Sequence, residues 1–194
     1  MSHGPVRWAG IGGVWEQTVE YMSDRAYPSS GNGSLISGQM ISLRDLLIPA
    51  VVFPRARWQG RKHVLQEMSA AMAAACGLDA RQTFEAVLER EHLGSTGVGE
   101  GVAIPHARIE GLTRVVGGFA KLVEPADFEA IDERSCDLVF MLLAPAEAGA
   151  EHLRALARVS RAFRQEAIRS ALRNAQTKEA VLAILTPDKV NDAA

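Results

Sequence analysis

A run of seven apolar residues, LVFMLLA at positions 138–144, lies between Asp137 and Pro145. A membrane-spanning helix needs about 18 apolar residues or more, so this run is far too short to cross a bilayer. Its residues do not alternate with polar ones, as they would in a strand that has one face in water. The run therefore predicts a buried strand that is covered on both faces and ended by Pro145.

Segments with helical periodicity lie on either side of this strand in the sequence. Each places apolar residues three and four positions apart, as expected of a helix that packs against a core. Asp79 and Gln82 resemble a capping pair at the start of one helix, and Gly77 is a stop signal for the helix before it. The predicted helices cover residues 61–76, 79–90, 151–163, 165–174 and, from a Thr177 cap, 177–185.

Two other stretches predict strands, residues 51–53 ended by Pro54 and residues 115–123. Strands that alternate with helices around a fully buried strand indicate an α/β fold, with a mixed β-sheet flanked by helices on both faces. In the helix at 151–163, the residues expected to face the core are Leu153, Leu156, Ala157, Ser160 and Phe163.

The composition is that of a soluble, globular chain, with 194 residues, 47% hydrophobic residues and a formal net charge of −2. This charge gives no electrostatic reason to expect a nucleic acid or an anionic membrane as a partner. Two cysteines, Cys76 and Cys136, cannot form a disulfide framework and are expected to be buried, reduced thiols. Since no secretory segment is visible, a cytoplasmic location is expected.

The first 39 residues differ from the rest of the chain. Scattered glycines surround a small apolar patch, and PSSGNGS at positions 28–34 resembles a linker. We therefore expect residues 1–39 to be a flexible or loosely packed extension. Residues 40–188 are expected to form the folded domain, and residues 189–194 a short C-terminal tail.

The chemistry of the chain is concentrated in residues 90–108, REHLGSTGVGEGVAIPHAR. Glycines let a backbone turn tightly and approach a ligand closely, and successive N–H groups of such a loop can form a concavity for an anion. The hydroxyls of Ser95 and Thr96 and the backbone at Gly97 and Gly99 are the expected phosphate contacts. His106 follows at the rim, where a neutral imidazole can act as a nucleophile toward phosphorus.

Several other kinds of site are excluded by their spacing. A Walker loop would need a lysine where Glu100 stands, and neither Gly97 nor Gly99 begins a complete dinucleotide fingerprint. No set of His, Cys, Asp and Glu has the spacing of a metal site, and no G-x-S-x-G hydrolase motif occurs. No metal, nucleotide or other cofactor is therefore expected.

The stretch from Glu91 through Val98, Gly99 and VAIPHA (residues 102–107) resembles the signature of phosphotransferase-system IIA domains of the mannitol/fructose type. The segments at 84–97, 127–145 and 149–163 look like the nitrogen-regulatory branch of that family. The resemblance covers roughly residues 41–186. It implies the same α/β fold and a histidine, here His106, that is phosphorylated by an HPr-like phosphocarrier protein.

The resemblance also assigns supporting residues. It implies that His152, at the start of a helix, faces His106, and that Arg90 lies beside the site, where its guanidinium would bind phosphoryl oxygens in a bidentate way. Arg108 and Arg114 are candidates for a docking surface. Glu100 departs from the asparagine common in the family and is expected to point outward, because a carboxylate would repel a phosphoryl group.

The sequence is compatible with three functions. The first is a phosphoryl-accepting regulator of the nitrogen-related phosphotransferase system, and the second is a fructose- or mannitol-specific IIA component that passes phosphate to a IIB domain. The third is a binding module that keeps the fold but is never phosphorylated. The quoted segments favour the first. The remaining histidines, His3, His63 and His92, have no supporting pattern and are expected to be solvated.

Overall fold

The computed structural model describes residues 42–187 of the chain. The predictions for the extension at 1–39 and the tail at 189–194 concern residues outside this range, so they stay predictions. Within the described residues, no helix combines the length and the apolar character that crossing a membrane would require.

A mixed sheet of six strands forms the centre of the described chain. Five of the strands follow one another across the sheet in the order β1-β5-β6-β3-β2, and β4 pairs with β6 beyond the end of β3. The strands are β1 (Leu47–Ala56), β2 (Gly97–Gly99), β3 (Val102–Ala103), β4 (His106–Ile109), β5 (Val116–Ala126) and β6 (Cys136–Pro145).

Strand β6 is the buried centre predicted from the apolar run. It pairs antiparallel with β5 on one side and parallel with β3 and β4 on the other. All seven residues from Leu138 to Ala144 are buried, because helices cover both faces of the sheet. The strand ends at Pro145, as predicted.

The described residues form five helices, and they divide between the two faces of the sheet. Residues of α1 and α2 pack in one buried cluster, and residues of α3, α4 and α5 pack in the other. The predicted α/β fold with helices on both faces is therefore confirmed. The helices are α1 (Gly60–Cys76), α2 (Ala80–His92), α3 (Gly149–Arg164), α4 (Glu166–Asn174) and α5 (Lys178–Leu185).

Three of the helix ends are as the sequence predicted. Gly77 follows α1 in the left-handed conformation with φ of 70°, which relieves a helix end at little steric cost. The Asp79 side chain accepts a hydrogen bond of 2.7 Å from the backbone N–H of Gln82, and Thr177 caps α5 through the N–H of Ala180.

Two expectations were wrong. Strand β1 does not end at Pro54 but continues to Ala56, because β1 is an edge strand and a proline there need not donate to a neighbouring strand. In α3 Phe163 is buried as expected, but the rest of the buried side is rotated from the expected one, and Leu153 is 46% exposed. The histidine that begins the true buried face was not counted as a core residue; that face consists of His152, Ala155, Val159, Ala162 and Phe163.

Candidate functional site

The path of β3 and β4 along β6 positions His106. Ala103 pairs with Val139 and His106 with Leu142, so the two short strands keep one register although Pro105, which has no N–H, interrupts them. The carbonyl of Pro105 still accepts a 2.9 Å hydrogen bond from the backbone N–H of Leu142. His106 is thus the first residue of β4, fixed by the central strand of the sheet.

The His106 ring is held on both of its nitrogens. Its Nδ1 lies 2.9 Å from the carbonyl oxygen of Ile104, and Nε of Arg90 lies 3.1 Å from its Nε2. A guanidinium can only donate, so Nε2 is the acceptor and carries the lone pair. The proton of the neutral ring is consequently on Nδ1, where it is donated to Ile104.

Burial keeps this ring neutral. The His106 residue is only 6% exposed. Loss of hydration lowers its pKa to about 3, with the positive charge of Arg90 and the neighbouring His152 acting in the same direction and the Ile104 carbonyl opposing them. The expectation of a loop histidine at the rim of an anion cradle was wrong, because His106 is a buried residue of β4, which pairs with the central strand β6.

His152 lies in the first two turns of α3 and faces His106. The centroids of the two rings are 5.4 Å apart, and their planes make an angle of 64°. His152 is also 6% exposed, and its Nε2 is buried with no hydrogen-bond partner among the residues that the structure describes. Burial, followed by the charges of Arg108 and Arg90, lowers its pKa to about 4.

Arg90 reaches the site from the last turn of α2. Besides its contact with His106, it donates from Nη1 to the carbonyl of Gly94 at 3.0 Å, so the guanidinium is anchored between the helix end and the ring. Partial burial lowers its pKa. Arg108 is two residues beyond His106 on β4 and exposed, whereas Arg114 donates to the carbonyl of Asp45.

The glycine-rich segment has a different structure from the predicted open cradle. Residues 97–103 form a β2–β3 hairpin, and the backbone N–H groups of Thr96, Gly97 and Glu100 donate to the side chains of Glu91, Ser95 and Asp132. These three amides are therefore already bound to protein groups. A flexible loop would leave them for a ligand, but a hairpin next to acidic side chains satisfies them internally.

The two hydroxyls predicted to contact phosphate also have protein partners. Thr96 is almost fully buried and donates to the carboxylate of Glu91 at 2.6 Å, and Ser95 donates to the carbonyl of Phe128 at 2.5 Å. A phosphate contact by either hydroxyl would require it to leave this partner.

Local packing explains why Gly97 and Gly99 are glycines. A Cβ on Gly97 would lie 2.7 Å from Cβ of Ala130, which is closer than real contacts allow. Gly99 has φ of 88°, in the region that favours glycine, and faces the carboxylate of Asp132. Their predicted phosphate contacts remain a separate question from these packing requirements.

Glu100 directs its carboxylate toward Arg134 and Arg169, at 3.6 Å and 3.4 Å, and the side chain is largely exposed. This agrees with the expectation that it points outward. His63 and His92 are exposed, as expected, and His3 lies outside the described residues. Within the described range, no three His, Cys, Asp or Glu side chains are grouped so that they could hold a metal ion.

Glu91, which has no role assigned from the sequence, is buried and holds the start of the hairpin. It accepts from both the N–H and the hydroxyl of Thr96, and its carboxylate lies 3.8 Å from Nη1 of Arg61. From sequence alone, a glutamate near a helix end is ordinarily expected to be solvated. The available signal was its position at the start of the motif that carried the family resemblance.

Comparison with known proteins fits this geometry. The family model described as phosphoenolpyruvate-dependent sugar phosphotransferase system, EIIA 2, matches residues 46–187. The chain belongs to this EIIA type 2 family.

Members of the EIIA type 2 family resemble the chain over most of their length. A nitrogen regulatory protein of Bradyrhizobium diazoefficiens is 43% identical over 143 residues, which are 74% of this chain and 94% of that protein. A nitrogen regulatory protein of Escherichia coli K12 is 41% identical over 133 residues, covering 68% and 82%. The crystal structure of the nitrogen regulatory protein IIA-Ntr from Neisseria meningitidis superposes with a TM-score of 0.69 at 35% identity, covering 73% of this chain and 97% of that one.

Proposed function

We propose that this chain is a phosphoryl-accepting IIA protein of the nitrogen-related phosphotransferase system, in which Nε2 of His106 receives a phosphoryl group from an HPr-like carrier. The observation that carries the proposal is the state of the His106 ring. It is neutral, its Nδ1 proton is fixed on Ile104, and its Nε2 lone pair faces Arg90. A ring in this state is a nucleophile throughout the neutral pH range.

The transfer step balances without a metal or a nucleotide. The lone pair of Nε2 forms a new N–P bond while the N–P bond of the carrier's phosphohistidine breaks, and its electron pair returns to the carrier's ring. The proton on Nδ1 of His106 stays in place. Its hydrogen bond to the Ile104 carbonyl stabilises the positive charge that the ring gains as Nε2 becomes phosphorylated.

Arg90 has two tasks in this scheme. Before transfer its Nε–H occupies the lone pair of Nε2, so the incoming phosphoryl group must displace it. The guanidinium then moves from the ring nitrogen to the phosphoryl oxygens, which carry the charge. His152 faces the same space with its buried Nε2, and it is the second group placed to bind a phosphoryl oxygen.

The surface around the site supports a protein donor. Leu93, three residues after Arg90, is 73% exposed, and Leu153, next to His152, is 46% exposed. Exposed leucines and an exposed cation, Arg108, suit a partner with an apolar surface and a negatively charged phosphoryl group. Such a carrier and its acceptor would meet in the cytoplasm.

The output of the proposed reaction is regulatory. Phosphorylation would place a negatively charged phosphoryl group beside a neutral, buried pair of histidines, and would thereby change the surface presented to target proteins. The nitrogen branch is supported by the relatives named above at 41% and 43% identity, both called nitrogen regulatory proteins.

The proposal is tested by intact-mass analysis after incubation with enzyme I, an HPr-like carrier and phosphoenolpyruvate. We expect one added phosphoryl group that is labile in acid and stable in base, and that is lost in His106→Gln. His92→Gln is the matched control, since His92 is exposed on α2. A single adduct that persists in His106→Gln, or an acid-stable one, would overturn the assignment.

The sugar-transport alternative is distinguished by the acceptor. Phosphorylated protein is mixed with a fructose-type or mannitol-type IIB domain, and transfer is followed by mass. The regulatory proposal predicts that the phosphoryl group stays on His106 or returns to the carrier. Rapid and complete transfer to the IIB domain would favour the transport role.

A further inference from the structure

A cleft of about 360 Å³ opens at the other end of the strands that support His106. Its charged lining consists of Arg55 on β1, Lys121 on β5, Asp137 on β6 and Arg173 on α4. Three cations and one carboxylate give this cleft a formal charge of +2. None of these residues belongs to the His106 site.

The single carboxylate is already committed. Arg173 forms a two-pronged contact with Asp137, with Nε 2.8 Å from Oδ2 and Nη2 2.8 Å from Oδ1. Among the residues that the structure describes, neither Arg55 nor Lys121 has a carboxylate within ion-pair distance. Within residues 42–187, the cleft therefore holds two positive charges that form no ion pair with a carboxylate.

The two cations also lie close to each other. Strands β1 and β5 are neighbours, and their register pairs Phe53 with Ala120 and Ala56 with Leu122, which brings Arg55 beside Lys121. Burial and then the charge of Arg55 lower the pKa of Lys121. Like charges on neighbouring strands repel each other, and a bound anion would reduce the repulsion between Arg55 and Lys121.

Lys121 is held in place by the end of a helix. Its Nζ donates to the carbonyls of Arg173 and Ala175, at the C-terminal end of α4. An ammonium has three N–H groups, so one remains for another acceptor. Arg55 is exposed and brings a guanidinium to the same cleft.

We propose that this cleft is a second anion site, which binds a small molecule carrying phosphate or carboxylate groups through Arg55 and Lys121. The fork of a guanidinium and the point charge of an ammonium together suit an anion with two charged groups. The volume of the cleft admits a small metabolite, and the site is independent of the proposed reaction at His106.

The cleft is connected to the hairpin that precedes His106. Arg173 donates from Nη2 to the carbonyl of Glu100 at 2.7 Å, and the backbone N–H of Asp137 donates to the carbonyl of Gly101 at 2.9 Å. An anion that attracts Arg173 would compete with the contacts that Arg173 makes to the Glu100 carbonyl and the Asp137 carboxylate. Its binding should consequently be visible at the amides of Glu100 and Gly101 as well as in the cleft.

The test is an NMR titration of the full chain, labelled with nitrogen-15, with pyrophosphate in one series and citrate in another. We expect saturable shifts at the amides of Lys121, Val123 and Gln176, which line or adjoin the cleft. Tighter binding of pyrophosphate identifies a phosphate site, and tighter binding of citrate a carboxylate site. Sodium chloride at matched ionic strength is the control for general screening.

Arg55→Gln and Lys121→Met should each weaken binding about tenfold or more, because each removes a charged hydrogen bond. Arg57→Gln is the matched control, since Arg57 is an exposed cation on the same edge that does not line the cleft. Arg55→Gln keeps the test decisive if Lys121→Met, which loses two helix contacts, unfolds. Shifts confined to residues near His106, shifts reproduced by chloride, or unchanged affinity in Arg55→Gln would overturn the proposal.

Discussion

At the scale of single residues, the fold keeps both histidines of the proposed phosphoryl site uncharged. His106 and His152 are both buried, their rings face each other, and Arg90 lies against one of them. Two imidazolium rings in this position would repel each other and the guanidinium. The site therefore keeps two neutral bases next to one permanent cation.

This arrangement predicts how stability depends on pH. The folded-state pKa values, about 3 for His106 and about 4 for His152, lie below the ordinary value of 6.5. Between the folded-state pKa of each histidine and the ordinary value of 6.5, the unfolded chain therefore binds more protons than the folded one. The stabilising contribution is fully present above about pH 6.5. As the pH falls below this value, the free energy of unfolding should decrease by about 1.4 kcal/mol per pH unit for each histidine.

The measurement is the free energy of unfolding by urea at a series of pH values from neutral to mildly acidic. The doubly substituted chain, His106→Gln with His152→Gln, supplies the background from carboxylates. We expect the steep loss of stability in the wild type to flatten in this variant. Parallel curves for the two chains would show that the histidines are not held neutral by the fold.

Arg90 and His152 are predicted to act at different points of the transfer. Arg90→Ala should slow phosphorylation of His106 on the order of 10²-fold, because the guanidinium meets charge that moves in the transition state. Arg90→Lys should recover only part of the rate, since an ammonium lacks the planar fork. His152→Ala should change mainly the lifetime of the phosphorylated state, with a smaller effect on its formation.

The rate is measured at low concentration of phosphorylated carrier, where transfer limits. Arg81→Ala is the matched control, because Arg81 is exposed on the same helix and pairs with Glu85. Transfer by Arg90→Ala at the wild-type rate would reduce Arg90 to a helix-end charge.

At the scale of elements, the β2–β3 hairpin is a support hydrogen-bonded to protein groups rather than an open cradle. Glu91 at the end of α2 holds Thr96 at the entrance of the hairpin, and Asp132 holds Glu100 at its turn. Ile104, whose carbonyl fixes the His106 proton, is itself hydrogen-bonded through its N–H to the carbonyl of Thr96. The position of the His106 ring is thus linked to α2 through a chain of hydrogen bonds in the hairpin.

Thr96→Val separates a supporting role from direct contact with phosphate. Because Thr96 is buried and donates to Glu91, its loss should cost about 1–3 kcal/mol of unfolding free energy, with only a modest effect on transfer. Ser95→Ala, which loses a partly buried hydroxyl, is the comparison. Strongly slowed transfer with unchanged stability in Thr96→Val would instead assign its hydroxyl to the phosphoryl group.

At the scale of the whole molecule, one sheet brings three distant parts of the chain to one site. Helix α2 supplies Arg90 from one face of the sheet, α3 supplies His152 from the other, and β4 supplies His106 within it. Helices on both faces are therefore a requirement of the site and not only of the core.

Removal of residues 1–39 should leave both the melting temperature and the phosphorylation of His106 nearly unchanged. The physical reason is that the family match begins at residue 46 and the described residues 42–187 contain a complete sheet with a helical layer on each face. Thermal unfolding of the full and truncated chains provides the measurement. A large fall in melting temperature would show that Trp8, Ile11 or Trp15 packs on the domain.

Local features of the sequence were sufficient to predict most elements of the fold. The apolar run at 138–144 predicted β6, and Gly77, Asp79 and Thr177 predicted three helix ends, because periodicity and capping depend on residues a few positions apart. The prediction that the strand ends at Pro54 was wrong, since whether a proline interrupts a strand depends on the place of that strand in the sheet. The prediction of the buried side of α3 was wrong because it left out His152, a histidine that is buried against His106.

The family and the α/β architecture could be predicted from the sequence alone, and so could the candidates His106, Arg90 and His152, because these depend on a motif and on residue chemistry. The protonation and hydrogen bonding of the site, in contrast, follow from contacts made in the folded chain. The neutrality of His106 arises from burial by elements that are distant in the chain, and its tautomer from the contact with Arg90 sixteen residues earlier. Phe128 and Asp132 reach the glycine hairpin in the same way, since hydrogen bonds between remote segments leave no periodic signal in the sequence.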